Sequence, residues 1–423
     1  MDFMSSYNLI IEASIIIILS FTFSEIARKT NVPSVLMLII LGILLRFGID
    51  AMGGGSLDFF PILEVLGIVG LIMIVLEAAL ELELRRDKYL PIAKSFVIAL
   101  IGLVASAYVA ALILHQFIDM SMEQAWLYAT PLSILSSAII IPSVSGLRED
   151  KKEFHIYEST FSDILGIMMF YFLTGQLDAA EHSNGLLDFG ANVLLTVALS
   201  IVVSYVIILI FQHIRSHTKL FLLIAVLMLL YAIGKQMHLS SLIIILTFGL
   251  IIANMKLFFR GQLGKWLQIE KANHIYEGLH IITMETAFVV RTFFFVIFGI
   301  TISLASLASW QVAMVSGLII LSIYAIRYVI LRLFVGTDIL PQLFIAPRGL
   351  ITILLFYAIP TEAQVPEFEP GIWLFIIIGT SIIMTVAMIR DKRRTSAAIR
   401  RAEANPVGYE SWKAPTVEEV KEG

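Results

Sequence analysis

The sequence predicts an all-α polytopic membrane protein of about 13 transmembrane helices, built as two inverted six-helix repeats with broken crossing helices at spans 5 and 12. Three observations carry this expectation. Of the 423 residues, 59% are hydrophobic and 15% charged, with a mean hydropathy of +0.91. A soluble domain has no use for that much apolar surface, whereas a helical bundle in lipid requires it. Apolar runs of about 17–25 residues recur along the chain, each long enough to cross the hydrocarbon core. Two of these runs are interrupted by proline at matching places in the two halves.

Taken in order, the spans are expected near Leu9–Ala27, Pro33–Phe47, Phe60–Leu80, Ile92–Ile118, Gln124–Leu147, Ile156–Leu177 and Asp188–His213. The others are expected near Lys219–Met237, Leu239–Leu257, Ile281–Leu304, Gln311–Leu333, Leu340–Ile359 and Gly371–Ile389. The first is read as a retained span, because MDFMSSYN lacks the basic region and small-residue cleavage site of a signal peptide. Span 5, YATPLSILSSAIIIPSVSGL, has Pro131 and Pro142 flanking Ser136 and Ser137. Span 12, LPQLFIAPRGLITILLFYAI, carries Pro347, Arg348 and Gly349 in mid-segment. Proline removes a backbone donor and breaks the helical ladder. In a membrane, such backbone survives only when buried in protein or lining water. Spans seven apart run in opposite directions, so spans 1–6 and 8–13 form the inverted repeat and span 7 connects them. RGQLGKWLQIEKANHIYEGLH, between spans 9 and 10, reads either as an interfacial helix or as a loop helix packed on the protein. The tail after Arg390 is too short for a globular domain and has no nucleotide-binding glycine motif.

The charges test the count. Alternate loops hold Arg28 and Lys29; Arg85, Arg86, Lys88 and Lys94; Arg148, Lys151 and Lys152; Arg215 and Lys219; Lys256, Arg260, Lys265 and Lys271; and Arg332. The tail adds Arg390, Lys392, Arg393 and Arg394, while the opposite loops hold only Arg46 and Lys235. By the positive-inside rule the N-terminus is outside and the C-terminus cytoplasmic. The net charge of −4 gives no pointer to nucleic acid. With no cysteine, thiolate metal sites and cysteine nucleophiles are excluded. There is no HExxH and no Lys or His deep in a span beside a nucleophile, so an enzyme is not expected.

Arg291, Arg327 and Arg348 remain inside spans, with the acids Glu12, Glu77, Glu158, Asp163 and Glu285. Charge inside a membrane is costly and defaults to function, with structural ion pairs as the main competitor. Glu77 and Glu285 read as interface or ion-pair residues; Arg291 lies too far along its helix to pair with Glu285. Span 6 concentrates the chemistry in ESTFSDILGI. On a helix Ser159 and Asp163 lie about 40° apart and share a face; Glu158 and Ser162 form a second pair offset by about 100°. The two acids therefore have different partners. A buried carboxylate can take up a proton, hold a hard cation through oxygen, or pair with arginine. The first two exclude each other at one site, which is what exchange of a cation for a proton needs. Ser159, Ser162, Ser136, Ser137 and freed carbonyls of span 5 are candidates to complete an oxygen shell around Asp163. Glu158 suits a pair with Arg327 or Arg348; Arg348 otherwise neutralises helix-end dipoles.

These stretches together resemble the monovalent cation:proton antiporter superfamily, especially its NhaP/NHE-like sodium/proton exchangers. The resemblance rests on ES and SD of span 6, IVGLIMIVLEAALELEL of span 3, SLIIILTFGLIIAN of span 9, RTFFFVIFGI of span 10, Arg327, and APRGLITILL of span 12. It covers nearly the whole membrane region. It implies a secondary antiporter exchanging Na⁺ or K⁺ for H⁺ by alternating access, with Asp163 binding either ion in competition. It implies that Glu158 pairs with an arginine, Arg327 before Arg348. It implies a homodimer in the plasma (bacterial inner) membrane, with the lipid bilayer as surroundings and no cofactor. Residues 1–390 would form the antiporter domain: spans 1–3 and 8–10 the dimerisation part, spans 4–6 and 11–13 an elevator-like moving core, and 391–423 a short cytoplasmic tail. Two departures stand out. Ser162 occupies a position where relatives often carry Asn, and LSSA replaces an acid in helix 5, as in Kef-like relatives. One carboxylate at the ion predicts electroneutral exchange. The alternative is a cation channel or a Na⁺-coupled symporter on a similar inverted-repeat scaffold.

Overall fold

The computed structural model describes residues 6–30, 34–51, 60–82, 84, 88–178, 185–214, 219–236, 241–259, 266, 268–301 and 309–404. The described chain is helical: α1 (Ser6–Thr30), α2 (Ser34–Ala51), α3 (Phe60–Glu81), α4 (Tyr89–Phe117), α5 (Met122–Ser133), α6 (Ser137–Ser143), α7 (Glu149–Asp178) and α8 (Gly185–Phe211). It continues with α9 (Lys219–Gln236), α10 (Ser241–Ala253), α11 (Met255–Phe258), α12 (Ile269–Thr301), α13 (Trp310–Phe334), α14 (Leu350–Tyr357) and α15 (Gly371–Ala404). Each expected span overlaps one helix, with three exceptions: span 5 is α5 plus α6, span 9 is α10 plus most of α11, and span 12 is the 3-10 turn Gln342–Phe344, an extended stretch and α14. Six described segments are long and apolar enough to cross a membrane, the α5–α6 pair among them. Helix α7 is not one of them, because its acids and hydroxyls lower its hydropathy.

Two helices outrun their expected bounds. Helix α12 begins at Ile269, so the second half of the segment read as interfacial or loop helix is the first turns of a transmembrane helix. Residues 260–265 and 267 of that segment lie outside the described residues. Helix α15 runs on past Arg390 to Ala404, so polar residues of the tail continue the helix. At about 1.5 Å per residue both helices exceed the hydrocarbon thickness. The side chain of Glu12 and those of the basic pair Arg28 and Lys29 lie outside the description.

Packing divides the helices into two neighbourhoods. Helix α12 lies against α2 and α3, and α10 against α3 and α8. Helix α4 packs on α5, α7 and α13, and α13 packs on α15. Small residues let backbones approach where no hydrophobic effect acts between lipid-facing helices. Gly42 of α2 and Gly299 of α12 show this: a Cβ on Gly42 would lie 2.8 Å from Gly299 Cα, and one on Gly299 2.9 Å from Gly42 Cα. Gly299→Val is therefore expected to lower stability by at least about 1–3 kcal/mol through overpacking. Its check is the thermal midpoint in detergent, with Gly48→Ala as a silent control, since a Cβ there meets nothing within 4 Å. The α1–α12 contact adds a buried hydroxyl pair, Ser20 Oγ to Thr292 Oγ1 at 2.6 Å.

Candidate functional site

The two broken spans meet each other. Helix α5 starts on a capping box, Ser121 accepting from Gln124 N–H while the Gln124 side chain accepts from Ser121 N–H. It ends two residues past Pro131, and the chain runs extended through Ile134 and Ser136 before α6 begins. Three consecutive N–H groups are freed there, and each finds a different partner. Leu135 N–H donates to Ser162 Oγ at 3.0 Å, Ser136 N–H to the Pro347 carbonyl of the other break at 3.0 Å, and Ser137 N–H to Asp163 Oδ2 at 3.3 Å. Glycine is required at 349 because a Cβ would lie 2.9 Å from Ser136 Cβ and overlap its hydroxyl. Buried backbone polar groups must be paired; here the pairing fixes α7 against the break of span 5 and that break against the one in span 12.

Asp163 is 2% exposed. Its Oδ1 is buried with no hydrogen-bond partner. Beside it lies a slot of about 10 Å³ walled by Ile74, Ala78, Ile167, Leu242, Leu246 and Ile351, so aliphatic side chains of α3, α10 and α14 seal that side. An ionised carboxylate with one oxygen bare is costly in so dry a place, and a proton or a cation on that oxygen would relieve the cost. Among the described residues no three His, Asp or Glu side chains converge as a metal cluster.

Glu158 is 1% exposed and accepts from Arg327 through two parallel bonds, Nη1 to Oε1 at 2.7 Å and Nη2 to Oε2 at 2.9 Å. Arg327 Nε donates to the Gln342 carbonyl at 3.1 Å, so the pair also ties α7 to the turn that opens span 12. Arg348, the second arginine considered for this pair, does something else. Its Nε donates to the Leu132 carbonyl at 2.8 Å and its Nη1 to the Ala346 carbonyl at 3.0 Å. It thus satisfies carbonyls orphaned by both breaks. Its own N–H donates to Thr380 Oγ1 of α15.

The serines divide in the same way. Ser159 Oγ donates to the His155 carbonyl at 2.7 Å, and Ser162 Oγ is engaged by Leu135 N–H. Ser136 and Ser137 stand at the break itself, next to Asp163 through Ser137 N–H. A cavity of about 30 Å³, room for a water or two, lies among Ser106, Ser133, Glu158, Ser162, Arg327 and Arg348.

Two neighbours were not anticipated. His155, fully buried, puts Nδ1 3.2 Å from Glu158 Oε2 outside hydrogen-bonding geometry, and neither ring nitrogen has a hydrogen-bond partner. Its spacing, three residues before Glu158 on one helix, was the available signal. Arg291 of α12 pairs with Glu77 of α3, Nη2 to Oε2 at 3.0 Å; no local spacing announces a partner so distant in sequence.

With this geometry described, three comparisons bear on it. Residues 15–390 match the family model described as sodium/hydrogen exchanger, transmembrane. No curated protein matches. The fold is similar to the structure of the sodium proton antiporter MjNhaP1 from Methanocaldococcus jannaschii at pH 8, with a TM-score of 0.65 and 21% identity over 90% of this chain and 95% of that one. It is also similar to an electron-microscopy structure of MjNhaP1, with a TM-score of 0.64 and 20% identity over 97% of this chain and all of that one.

Proposed function

The chain belongs to the sodium/hydrogen exchanger family, and on that premise we propose that it exchanges one Na⁺ or K⁺ for one H⁺ at Asp163, by alternating access and without net charge movement. Family membership makes it a membrane transporter of cations and protons, not an enzyme. The observation that carries the site assignment is the Asp163 carboxylate, with one oxygen on Ser137 N–H and the other buried and unpartnered. A proton on Oδ1 and a cation at Oδ1 are alternatives, and neither state leaves a bare buried charge.

Ser136, Ser137 and Ser159 supply the remaining oxygens. Ser159 donates its proton to a helix carbonyl, which leaves its lone pairs for a cation. Ser162 shapes the site by holding the Leu135 N–H. Glu158 stays ionised against Arg327 and does not change charge during the cycle. One titrating carboxylate then gives one proton per cation. Helices α4–α7 and α13–α15 act as the moving core, and α1–α3 with α9, α10 and α12 as the scaffold through which two copies dimerise. The N-terminus faces outside and the basic loops face the cytoplasm.

Competition at one site has a definite kinetic form. Below the pH at which Asp163 is half protonated, the apparent KM for the cation is expected to rise about tenfold per pH unit, the slope for one proton. Well above that pH it levels off, while Vmax changes little. Initial exchange rates in proteoliposomes over a grid of Na⁺, K⁺ and pH measure this and the selectivity together. An apparent KM independent of pH contradicts competition.

A further inference from the structure

The Glu77–Arg291 pair has no part in the mechanism above, yet it stands where the two helix neighbourhoods meet. Arg291 Nη2 reaches both Glu77 oxygens, at 3.0 and 3.4 Å. Nη1 donates at 3.4 Å to the carbonyl of Ala138, and Nε is buried without a hydrogen-bond partner. Ala138 is the second residue of α6, directly after Ser137, whose N–H holds Asp163. Glu77 and Arg291 thus belong to the proposed scaffold and Ala138 to the proposed core.

The same guanidinium lines a cavity of about 200 Å³ between α1, α2, α12 and α6, together with Ser20, Ser24, Ser34, Ser143 and Thr292. Hydroxyls on several sides suit a partly dehydrated cation, and Ala138 in its wall is one residue from the contact to Asp163. A fixed positive charge in such a place repels an entering cation, and a carboxylate on that charge cancels the repulsion.

Resting on the exchange reading above, we infer that this cavity is the cation's entry vestibule and that Arg291, balanced by Glu77, is a positioning residue that sets the electrostatic threshold for entry. The Ala138 carbonyl that Arg291 occupies is then an oxygen the arriving cation competes for. The two halves of the pair act with opposite sign. Without Arg291, the unpaired Glu77 attracts cations; without Glu77, the unpaired Arg291 repels them.

The test measures Na⁺-dependent dequenching of an imposed ΔpH in everted vesicles at one fixed pH. Glu81 and His280, the other titratable groups close to Glu77, are thereby held in one condition. Arg291→Gln is expected to lower the apparent KM by at least about threefold and Glu77→Gln to raise it by a similar factor, an effect consistent with one charge acting at partial screening. The double variant Glu77→Gln/Arg291→Gln removes both charges and should return the KM to near that of the unaltered protein. A merely structural pair moves both single variants the same way, in Vmax or folded yield, and that result, or unchanged KM values, overturns the inference. If a single variant does not fold, the double variant with Ser143→Asp, which restores one negative charge to the vestibule, should lower KM; an unchanged KM there also overturns it. Exchange in the unaltered protein that is lost in Asp163→Asn keeps the site reading intact even where this inference fails.

Discussion

Asp163→Asn is expected to abolish cation-dependent proton exchange completely while the protein still folds. The substitution keeps shape and an acceptor oxygen for Ser137 N–H, whose bond to Oδ2 is 3.3 Å in the native site. It removes the one property the cycle depends on, a group that exchanges a proton for a cation. Because Asp163 is 2% exposed and sealed by aliphatic side chains, a neutral amide there should not lower stability. In everted vesicles the variant should show no dequenching with Na⁺, K⁺ or Li⁺, at membrane levels close to those of the unaltered protein. Exchange retained by the variant contradicts the assignment of Asp163.

The second large effect concerns the Glu158–Arg327 pair. Arg327→Ala strands a carboxylate that is 1% exposed and removes the donor to the Gln342 carbonyl. Breaking one side of a buried pair costs about 3–5 kcal/mol, because the remaining charge has no compensation. We expect a marked fall in folded yield and in the thermal midpoint in detergent. The double variant Glu158→Gln/Arg327→Gln should recover a large part of this loss, since no bare charge is left. Glu158→Gln alone should reduce stability far more than it alters KM. If instead it alters only KM, Glu158 is a ligand of the cation and the charge count of one proton per cation is wrong.

How much of this was legible in the sequence follows from the range of each interaction. The spans were legible because a helix in lipid needs an apolar run of about 20 residues and nothing else hides that signal. The breaks themselves were legible from prolines at matching places in opposed repeats, but the bond between them, Ser136 N–H to the Pro347 carbonyl, was not. The separation of Glu158 from Asp163 follows from helical periodicity, and one partner is Arg327 and the other Ser137 N–H. What stayed hidden was backbone chemistry at the breaks and pairing across helices. Arg348 answers the Leu132 and Ala346 carbonyls, which no side-chain pattern advertises. Ser162 is taken by a backbone N–H 27 positions away. Arg291 finds Glu77 at a separation of 214 residues, between helices whose contact is known only once they are packed. The early start of α12 was hidden for another reason: its first turns are polar enough to read as a separate interfacial or loop helix, whereas they continue into the apolar span without a break.

The most direct test of the central claim, that one carboxylate holds either a proton or a cation, is calorimetric. Na⁺ is titrated into purified protein in two buffers of different ionisation enthalpy, at a pH where Asp163 is mostly protonated. The difference between the two observed heats counts the protons released per cation bound. The account predicts a value close to one for the unaltered protein, and no cation binding with proton release for Asp163→Asn. Cation binding that releases no protons, or an unchanged release in the variant, contradicts it.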